Sequence, residues 1–254
     1  MEQRRDFLKK MGLVALSAVI GREMIWPMLS KVPRAQAAGA PKQYGMVIDL
    51  RRCIGCHACS MACKLENNQP TGLVDGELET RNRRIDWSIV LGREDGEEEK
   101  GKYPLLSKRF LPRTCMHCID PPCTKVCPVG ATYRRPGDGV VIVNYDRCIG
   151  CRYCMTACPY GARYFNWKKP VLGRPENPKV PVRPVGVVEK CTFCLHRIER
   201  GLEPACVVTC AGRARIFGEL SDPNSKVSKL IRERQAFRLL EDYDTKPSWY
   251  YLPW

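Results

Sequence analysis

Sixteen cysteines constrain this chain of 254 residues more than any other feature of its sequence. They fall into four groups of four, and no cysteine is left outside a group. The first and third groups share the spacing C-x2-C-x2-C-x3-C, the second reads C-x2-C-x4-C-x3-C, and the fourth contains a longer insertion. In chain order the groups are Cys53, Cys56, Cys59 and Cys63; Cys115, Cys118, Cys123 and Cys127; Cys148, Cys151, Cys154 and Cys158; and Cys191, Cys194, Cys206 and Cys210.

Three kinds of chemistry use cysteines in such numbers. A disulfide framework needs an oxidising compartment and usually serves a small secreted domain. Structural zinc takes cysteines in pairs, often mixed with histidine, and the chain has only three histidines. Iron–sulfur clusters take four thiolates each, and the run C-x2-C-x2-C-x3-C-P is the bacterial ferredoxin spacing. The spacing therefore favours four [4Fe–4S] clusters, with zinc and disulfides as the alternatives.

The ferredoxin spacing also predicts how the cysteines are shared. Three cysteines two residues apart wrap one face of a cubane, and the fourth, expected at the start of a helix, binds the neighbouring cluster. Gly55 and Gly150 lie between the first two cysteines of their groups, where backbone must approach the cofactor closely. Because each fourth cysteine crosses over, the groups must work in pairs.

The linking sequences indicate which groups pair. Between the second and third groups, Gly137-Asp138-Gly139 followed by Val140–Val143 predicts a hairpin turn and a short strand. The first and fourth groups are then left to form another module, and the likeness of Tyr44–Asp49 to Val140–Asp146 indicates duplication. The predicted fold class is α+β: two loop-rich, bacterial-ferredoxin-like modules, the inner inserted into the outer, each holding two [4Fe–4S] clusters.

Ranges and ligands follow from this pairing. We expect an outer module over 39–114 plus 186–220 with an insertion at 64–114, an inner module over 115–167, a Pro-rich connector over 168–185 and a partner-contact tail over 221–254. The four predicted ligand sets are Cys53, Cys56, Cys59 and Cys210; Cys191, Cys194, Cys206 and Cys63; Cys115, Cys118, Cys123 and Cys158; and Cys148, Cys151, Cys154 and Cys127.

Residues 1–38 read as an export signal. Arg4 and Arg5 begin the pattern R-R-x-F-L-K, an apolar stretch follows, and Ala35-Gln36-Ala37 supplies a small-residue cleavage pattern. The segment resembles a twin-arginine signal, although Gln3 and the charged pair Arg22-Glu23 depart from that pattern. An exported protein assembled in the reducing cytoplasm keeps its thiols from forming disulfides. We therefore expect a periplasmic protein exported in the folded state, with an uncleaved amphipathic anchor as the alternative.

In combination, the motifs resemble those of one known family. Cys-Ile-Gly-Cys occurs twice, and the chain also contains Cys158-Pro159-Tyr160-Gly161-Ala162-Arg163 and Lys190-Cys191-Thr192-Phe193-Cys194. From about Tyr44 to Leu220 the chain resembles the four-cluster ferredoxin-type subunit of dimethyl sulfoxide reductase-family molybdopterin oxidoreductases, of the polysulfide, tetrathionate and nitrite reductase type. The resemblance implies an electron-transfer subunit between a molybdopterin (Mo or W) catalytic subunit and a membrane-anchor subunit with a quinone site. Such a subunit is peripherally membrane-associated through its partner.

The alternatives differ in their partners or chemistry. A four-cluster subunit of a transmembrane quinone/cytochrome redox complex would need no molybdopterin. An enzyme with its own active site and small-molecule substrate is not expected, because the sequence shows no nucleophile–base set. The net charge of +15 comes with no recognition helix, so nucleic acid is not expected as a partner.

Residues near the cysteines and at the C-terminus also carry expectations. We interpret His57, His117 and His196 as non-ligands, and expect Arg52, Arg147, Arg152 and Lys190, which adjoin cysteines, to tune cluster potentials. The aromatic end of the chain, from Trp249 to Trp254, predicts a partner or membrane contact, or else packing on the chain's own surface.

Overall fold

A computed structural model describes residues 42–71, 73–74, 77–78, 84–93 and 109–254. The predicted signal over 1–38 and the acidic run Glu94–Glu99 lie outside these residues. The strands are β1 (Tyr44–Asp49), β2 (Leu73–Val74), β3 (Glu77–Leu78), β4 (Ile89–Arg93), β5 (Arg109–Arg113), β6 (Thr132–Arg134), β7 (Val141–Val143), β8 (Tyr164–Phe165), β9 (Val188–Glu189), β10 (Arg215–Glu219) and β11 (Trp249–Leu252).

Short helices alternate with these strands. They are α1 (Ala58–Glu66), α2 (Pro122–Lys125), α3 (Tyr153–Thr156), α4 (Leu195–Ile198), α5 (Ala205–Val208) and α6 (Lys226–Glu233), with 3₁₀ turns at Leu50–Arg52 and Glu241–Tyr243. In the part of the chain that the structure covers, no helix has the length and apolar character needed to cross a membrane.

A three-stranded sheet in the order β10-β1-β11 forms the largest core. Met46 and Ile48 of β1 pack with Trp249 and Tyr251 on one side, while Val47 packs against α6 on the other. A strand covered on both faces needs an unbroken apolar run, and Met46 to Ile48 supply it with side chains that are 0% exposed. This sheet joins the start of the chain's described part to its end.

The C-terminal tail is part of this sheet. Strand β11 runs parallel to β1, with Met46 opposite Trp249 and Ile48 opposite Tyr251. Trp249 and Tyr251 are 1% and 0% exposed, and the Tyr251 hydroxyl donates to Pro112 O at 2.9 Å. Of the two alternatives expected for the tail, these two aromatics follow the second, because they pack in the chain's own core. Trp254 is 37% exposed.

The predicted hairpin between the second and third groups is present. Strands β6 and β7 pair antiparallel, from Thr132 opposite Val143 to Arg134 opposite Val141. At the turn, Asp138 Oδ1 accepts from Val140 N at 3.0 Å, and Gly139 has φ +72°. Aspartate side-chain bonding and a positive-φ glycine are the features that specify such a turn.

Helix pairs bring the cysteine groups together. Helix α1, from the first group, packs against α5, from the fourth, and α2 of the second group packs against α3 of the third. One local expectation is wrong: the fourth cysteines do not start helices. Cys63 lies inside α1, whereas Cys127 and Cys158 follow the ends of α2 and α3. Pro128 and Pro159 come directly after these two cysteines, and the residue before a proline disfavours the helical conformation.

The Pro-rich stretch at 168–185 contains neither helix nor strand. It is nevertheless fastened to the residues that follow α1. Asn68 Nδ2 donates to Asn177 O at 2.9 Å, and Thr71 N donates to Val171 O at 2.9 Å. Arg183 is 1% exposed, pairs with Glu189 and donates to the carbonyl oxygens of Asn67 and Asn68. These bonds hold the stretch against the protein surface.

Candidate iron–sulfur cluster sites

All sixteen cysteines are free thiols, and the fold gathers them into quartets drawn from two sequence groups each. Three quartets line small cavities. The first quartet is Cys53, Cys56, Cys59 and Cys210; the third is Cys115, Cys118, Cys123 and Cys158; the fourth is Cys127, Cys148, Cys151 and Cys154. In each of these cavities the cysteine from the distant group closes the ring.

The remaining quartet, here called the second, is Cys63, Cys191, Cys194 and Cys206. Burial raises the pKa of the Cys63 thiol well above its ordinary value, and the charges of the other three members raise it further. The Asn67 amide donates to Cys194 Sγ at 3.5 Å and to Cys63 Sγ at 3.8 Å, so the first and fourth sequence groups meet here. The structure thus brings together the same four sets of side chains that the spacing grouped.

The thiol chemistry of these quartets suits an iron–sulfur cubane. Burial, and then the charge of Cys206, raises the pKa of Cys194 to about 12, and burial with the charge of Cys115 raises that of Cys118 to about 12. Thiolates are the iron ligands, and converging thiolates are stable only beside positive charge. Among the described residues, no three His, Cys, Asp or Glu side chains converge closely enough to hold a single metal ion. A cubane carries its irons at separate corners, so its ligands surround it.

Backbone amides also point at the sulfurs. Thr132 N donates to Cys127 Sγ at 3.4 Å, and Ala214 N donates to Cys210 Sγ at 3.2 Å. At Cys127, amides of the following residues outweigh burial, so the pKa of this thiol is lowered. Hydrogen bonds to cluster sulfurs are one of the levers by which proteins set reduction potential.

Glycines allow the loops to close around the quartets. Gly55 and Gly150 both have φ +70°, in the left-handed region that disfavours side chains. A Cβ at Gly55 would overlap the Phe110 ring, and one at Gly150 would overlap Gly186 O. The neighbours that require a glycine at these two positions are packed protein atoms, and close approach to a cofactor stays a prediction.

Each quartet lies near the next, and this succession of four quartets is called the row below. The charge of Cys59 in the first quartet raises the pKa of Cys206 in the second, beyond the effect of burial. After burial, Cys115 of the third quartet is the strongest influence raising the pKa of Cys191 in the second. Cys123 of the third quartet likewise acts on Cys154 of the fourth. The order is first, second, third, fourth.

Both ends of this row reach the surface. Cys56 in the first quartet and Cys151 in the fourth are exposed, whereas the second and third quartets are mostly buried. Beside them, Ile54 and Ile149 are 63% and 65% exposed. Each isoleucine stands at the same place in a Cys-Ile-Gly-Cys loop. Exposed apolar residues rimming a site are typical of docking surfaces.

Two amide side chains near the second quartet were not identified from the sequence. Gln69 Nε2 donates to Cys63 Sγ at 3.1 Å, while Trp87 N donates to Gln69 Oε1 at 2.9 Å and so fixes which end of the amide faces the sulfur. Asn67 contacts two sulfurs of the same quartet. The sequence signal was weak, because both residues follow the first cysteine group, whereas three of the four cysteines in this quartet come from the fourth group.

The histidines and the adjoining cations occupy different environments. His117 is fully buried, accepts from Val141 N at 3.1 Å and stacks on Phe193 at 4.2 Å between ring centroids. His57 is exposed at the edge of the first-quartet cavity, and His196 Nε2 lies 2.6 Å from Glu66 Oε1. The sequence-adjacent cations divide by exposure: Arg52, Arg147 and Arg152 are exposed, and Lys190 is 1% exposed.

Comparison with known proteins agrees with this geometry. Two family models, each described as a 4Fe-4S dicluster domain, match the chain, one over residues 52–131 and the other over 106–176 and 178–220. The chain therefore contains two ferredoxin-like dicluster domains, which with its sixteen cysteines are consistent with four [4Fe–4S] clusters.

Relatives place the chain more closely. It is 50% identical over 219 residues to a Halobacterium salinarum protein named as an iron–sulfur subunit of dimethyl sulfoxide reductase, covering 82% of this chain and 78% of that protein. It is 43% identical to a subunit of the selenate reductase of Mesobacillus selenatarsenatis, over 83% of this chain and 72% of that one. It is also 41% identical to the iron–sulfur cluster-binding subunit of menaquinone reductase from Nitratidesulfovibrio vulgaris, over 83% and 88%. The chain belongs to the family of ferredoxin-type iron–sulfur subunits of dimethyl sulfoxide reductase-type complexes.

Proposed function

We propose that this chain is the electron-transfer subunit of a respiratory oxidoreductase, relaying electrons between a molybdopterin catalytic subunit and a membrane subunit with a quinone site. The observation that carries the proposal is the row of four cysteine quartets with an exposed quartet at each end. Iron–sulfur clusters supply one-electron transfer when bound. A buried row with two exposed ends suits a relay, because electrons can arrive at one surface and leave at another.

The ligand sets proposed for the clusters are the four quartets. The outer module would comprise 39–114 plus 186–220 and hold the first and second clusters, and the inner module, 115–167, would hold the third and fourth. Packing of α1 on α5 and of α2 on α3 supports this nested arrangement. The stretch at 168–185 would connect the two modules.

Each end of the row is proposed to face one partner. The catalytic subunit would dock beside Ile54 at the first quartet, and the membrane subunit beside Ile149 at the fourth. Tyr153 and Trp167, which are 66% and 48% exposed, add apolar surface at the fourth-quartet end. The relatives are named as single subunits of reductases, which supports the existence of a separate catalytic subunit.

The location is proposed from the N-terminal segment. Residues 1–38 would direct folded export to the periplasm, where the protein would associate peripherally with the membrane through its partner. Replacing Arg4 and Arg5 by lysine should leave the cluster-loaded protein in the cytoplasm. Unchanged periplasmic accumulation of the variant would reject the twin-arginine assignment.

A complex without molybdopterin is the second candidate function. It is favoured by one finding, the 41% identity to a subunit of a protein named menaquinone reductase. In that case the exposed end at the first quartet would meet a cytochrome or another redox protein, and the chain's own residues would act in the same way.

Anaerobic purification of the tagged full chain from its native membranes tests the proposal. We expect about 16 iron and about 16 labile sulfide per chain, with a co-purifying large subunit containing molybdenum or tungsten. Zinc in place of iron would overturn the cluster assignment. Haem without molybdenum or tungsten would select the second candidate.

Docking is tested by charged substitutions at the two ends. Ile54→Glu should release the catalytic subunit and keep the membrane subunit, and Ile149→Glu should do the reverse. Leu202→Glu is the matched control, since Leu202 is 46% exposed and lines neither terminal cavity. If the two isoleucine variants lose the opposite partners, the proposed orientation is reversed.

A further inference from the structure

Two buried arginines occupy equivalent positions in the repeated motifs. Arg163 is the fifth residue after Cys158, and Arg215 is the fifth residue after Cys210, each the last cysteine of its group. Arg163 is 4% exposed and Arg215 is 3% exposed. Removing a guanidinium from water is costly unless an opposite charge lies nearby. Each arginine therefore needs a buried counter-charge.

Neither arginine forms an ion pair with a carboxylate in the part of the chain that the structure describes. Arg163 Nη1 donates to Thr132 Oγ1 at 3.2 Å, and Arg215 Nη2 donates to Ser88 Oγ at 3.0 Å. The other terminal nitrogens, Arg163 Nη2 and Arg215 Nη1, are buried without a hydrogen-bond partner among the residues described. A neutral hydroxyl does not balance a positive charge, so the balance must come from another group.

A third buried arginine shows the contrasting case. Arg183 is 1% exposed, but it forms an ion pair with Glu189, and its remaining nitrogens donate to backbone carbonyls. This protein thus pairs a structural buried arginine with a carboxylate. Arg163 and Arg215 are neutralised differently.

The groups that face these two arginines are cysteines. Arg163 lines the cavity of the third quartet together with Cys123. Burial disfavours the charge on Arg163, but the charges of Cys123 and Cys154 outweigh it and raise the pKa of the guanidinium. Arg215 lines the cavity of the first quartet together with Cys59, and the charges of Cys206 and Cys59 raise the pKa of its guanidinium against the effect of burial. Cys123 and Cys154 belong to the third and fourth quartets, and Cys59 and Cys206 belong to the first and second. Arg163 therefore lies beside the third and fourth quartets, and Arg215 lies beside the first and second.

We propose that Arg163 and Arg215 are electrostatic positioning residues of the relay, each balancing the negative charge of the two clusters beside it and raising the reduction potentials of both. The inference rests on the proposed function, since it requires clusters in the quartets. One-electron reduction adds negative charge to a cluster, and a buried cation stabilises that reduced form more than the oxidised form. The exposed Arg52 and Arg147 lie in water, which screens their charge.

Redox titration followed by electron paramagnetic resonance tests the inference on the full chain. Arg215→Gln should disfavour reduction of the first and second clusters at least tenfold, about 59 mV for a one-electron couple, and leave the third and fourth within that limit. Arg163→Gln should disfavour reduction of the third and fourth clusters by the same factor and leave the first and second within that limit. Arg52→Gln and Arg147→Gln are matched controls, since each removes an exposed charge next to a ligand cysteine, and neither should cause a tenfold change.

Charge-conserving variants separate the electrostatic role from a structural one. Arg215→Lys and Arg163→Lys should keep full iron content and remain within tenfold of the wild-type potentials. The inference is overturned if glutamine variants with full iron keep wild-type potentials, if the lysine variants shift as far as the glutamine variants, or if both substitutions abolish iron binding. A wild-type protein without iron would instead reject the proposed function itself.

Discussion

Removing the Gln69 amide should lower the potential of one cluster only, that of the second quartet. Gln69 Nε2 lies 3.1 Å from Cys63 Sγ, and its orientation is fixed by the bond from Trp87 N to Oε1. A hydrogen bond to a cluster sulfur stabilises the reduced state, whose sulfurs carry more negative charge. A net hydrogen-bond contribution of about 0.5–1.5 kcal/mol corresponds to about 20–65 mV for a one-electron couple.

The variants to compare are Gln69→Leu and Gln69→Glu. The leucine variant should shift the potential negatively by about 20–65 mV. The glutamate variant keeps an acceptor for Trp87 N but places a carboxylate near the sulfur, so its shift should be larger and in the same direction. Asn68→Gly is the control, because Asn68 is buried, its side chain bonds only to Asn177 and Val180 among the described residues, and glycine tolerates its φ of +47°.

Anaerobic redox titration with paramagnetic resonance detection measures the shift. The variants Cys56→Ser and Cys194→Ser identify the signals of the first and second clusters. Gln69 follows the first cysteine group in the chain, so sequence proximity alone would assign its effect to the first cluster. A shift confined to that first cluster, or no shift above 10 mV or so in any cluster, would refute the reasoning.

Three further predictions concern stability and assembly. Glu189→Ala leaves Arg183 buried and unpaired, so the free energy of unfolding should fall by about 3–5 kcal/mol in anaerobic urea titration. The control Asp120→Ala breaks an exposed pair with Lys125 and should lower the free energy of unfolding by less than about 1 kcal/mol. Equal losses in the two variants would contradict the prediction. Gly150→Ala should lose about four irons per chain, because the added Cβ would overlap Gly186 O. The control Gly201→Ala has a similar φ of +73° but open space around its Cβ, so this variant should keep its iron. Equal iron contents in the two variants would contradict the steric argument. Tyr251→Ala should destabilise the fold by about 3–5 kcal/mol, because Tyr251 is 0% exposed. Tyr243 is 64% exposed, so Tyr243→Ala should destabilise it by only about 0.5 kcal/mol. A Tyr251→Ala variant as stable as the wild type would contradict the prediction.

Local sequence signals predicted the parts of the fold that depend on spacing. The cysteine pattern grouped the side chains that line the cavities, because a shared cofactor imposes a fixed set of distances along the chain. The turn at Gly137–Gly139 and the positive φ at Gly55 and Gly150 were predictable because glycine's conformational freedom acts over a few residues.

Contacts between distant segments were not predictable in the same way. The pairing of β11 with β1 depends on the whole fold, and an aromatic tail is equally suited to a partner or to the chain's own core. Gln69 lies six residues beyond Cys63, and Arg215 is influenced by Cys59 of the first group as well as by Cys206 of its own. Direct adjacency to a cysteine therefore pointed instead to Arg52 and Arg147, which are exposed. The equivalent positions of Arg163 and Arg215 after their cysteines were the available signal, because a residue repeated in a duplicated module indicates a shared environment.

An iron-edge anomalous difference map from crystals of the anaerobic protein tests the central claim most directly. We expect four separate iron peaks in a row, each surrounded by one quartet. The crossover cysteine of each quartet should bind the same iron peak as the three cysteines of the other group. Cys210 should share a peak with Cys53, and Cys63 should share one with Cys191. Likewise Cys158 should share a peak with Cys115, and Cys127 should share one with Cys148. A peak held by four cysteines of a single sequence group, or fewer than four peaks at full iron loading, would contradict it.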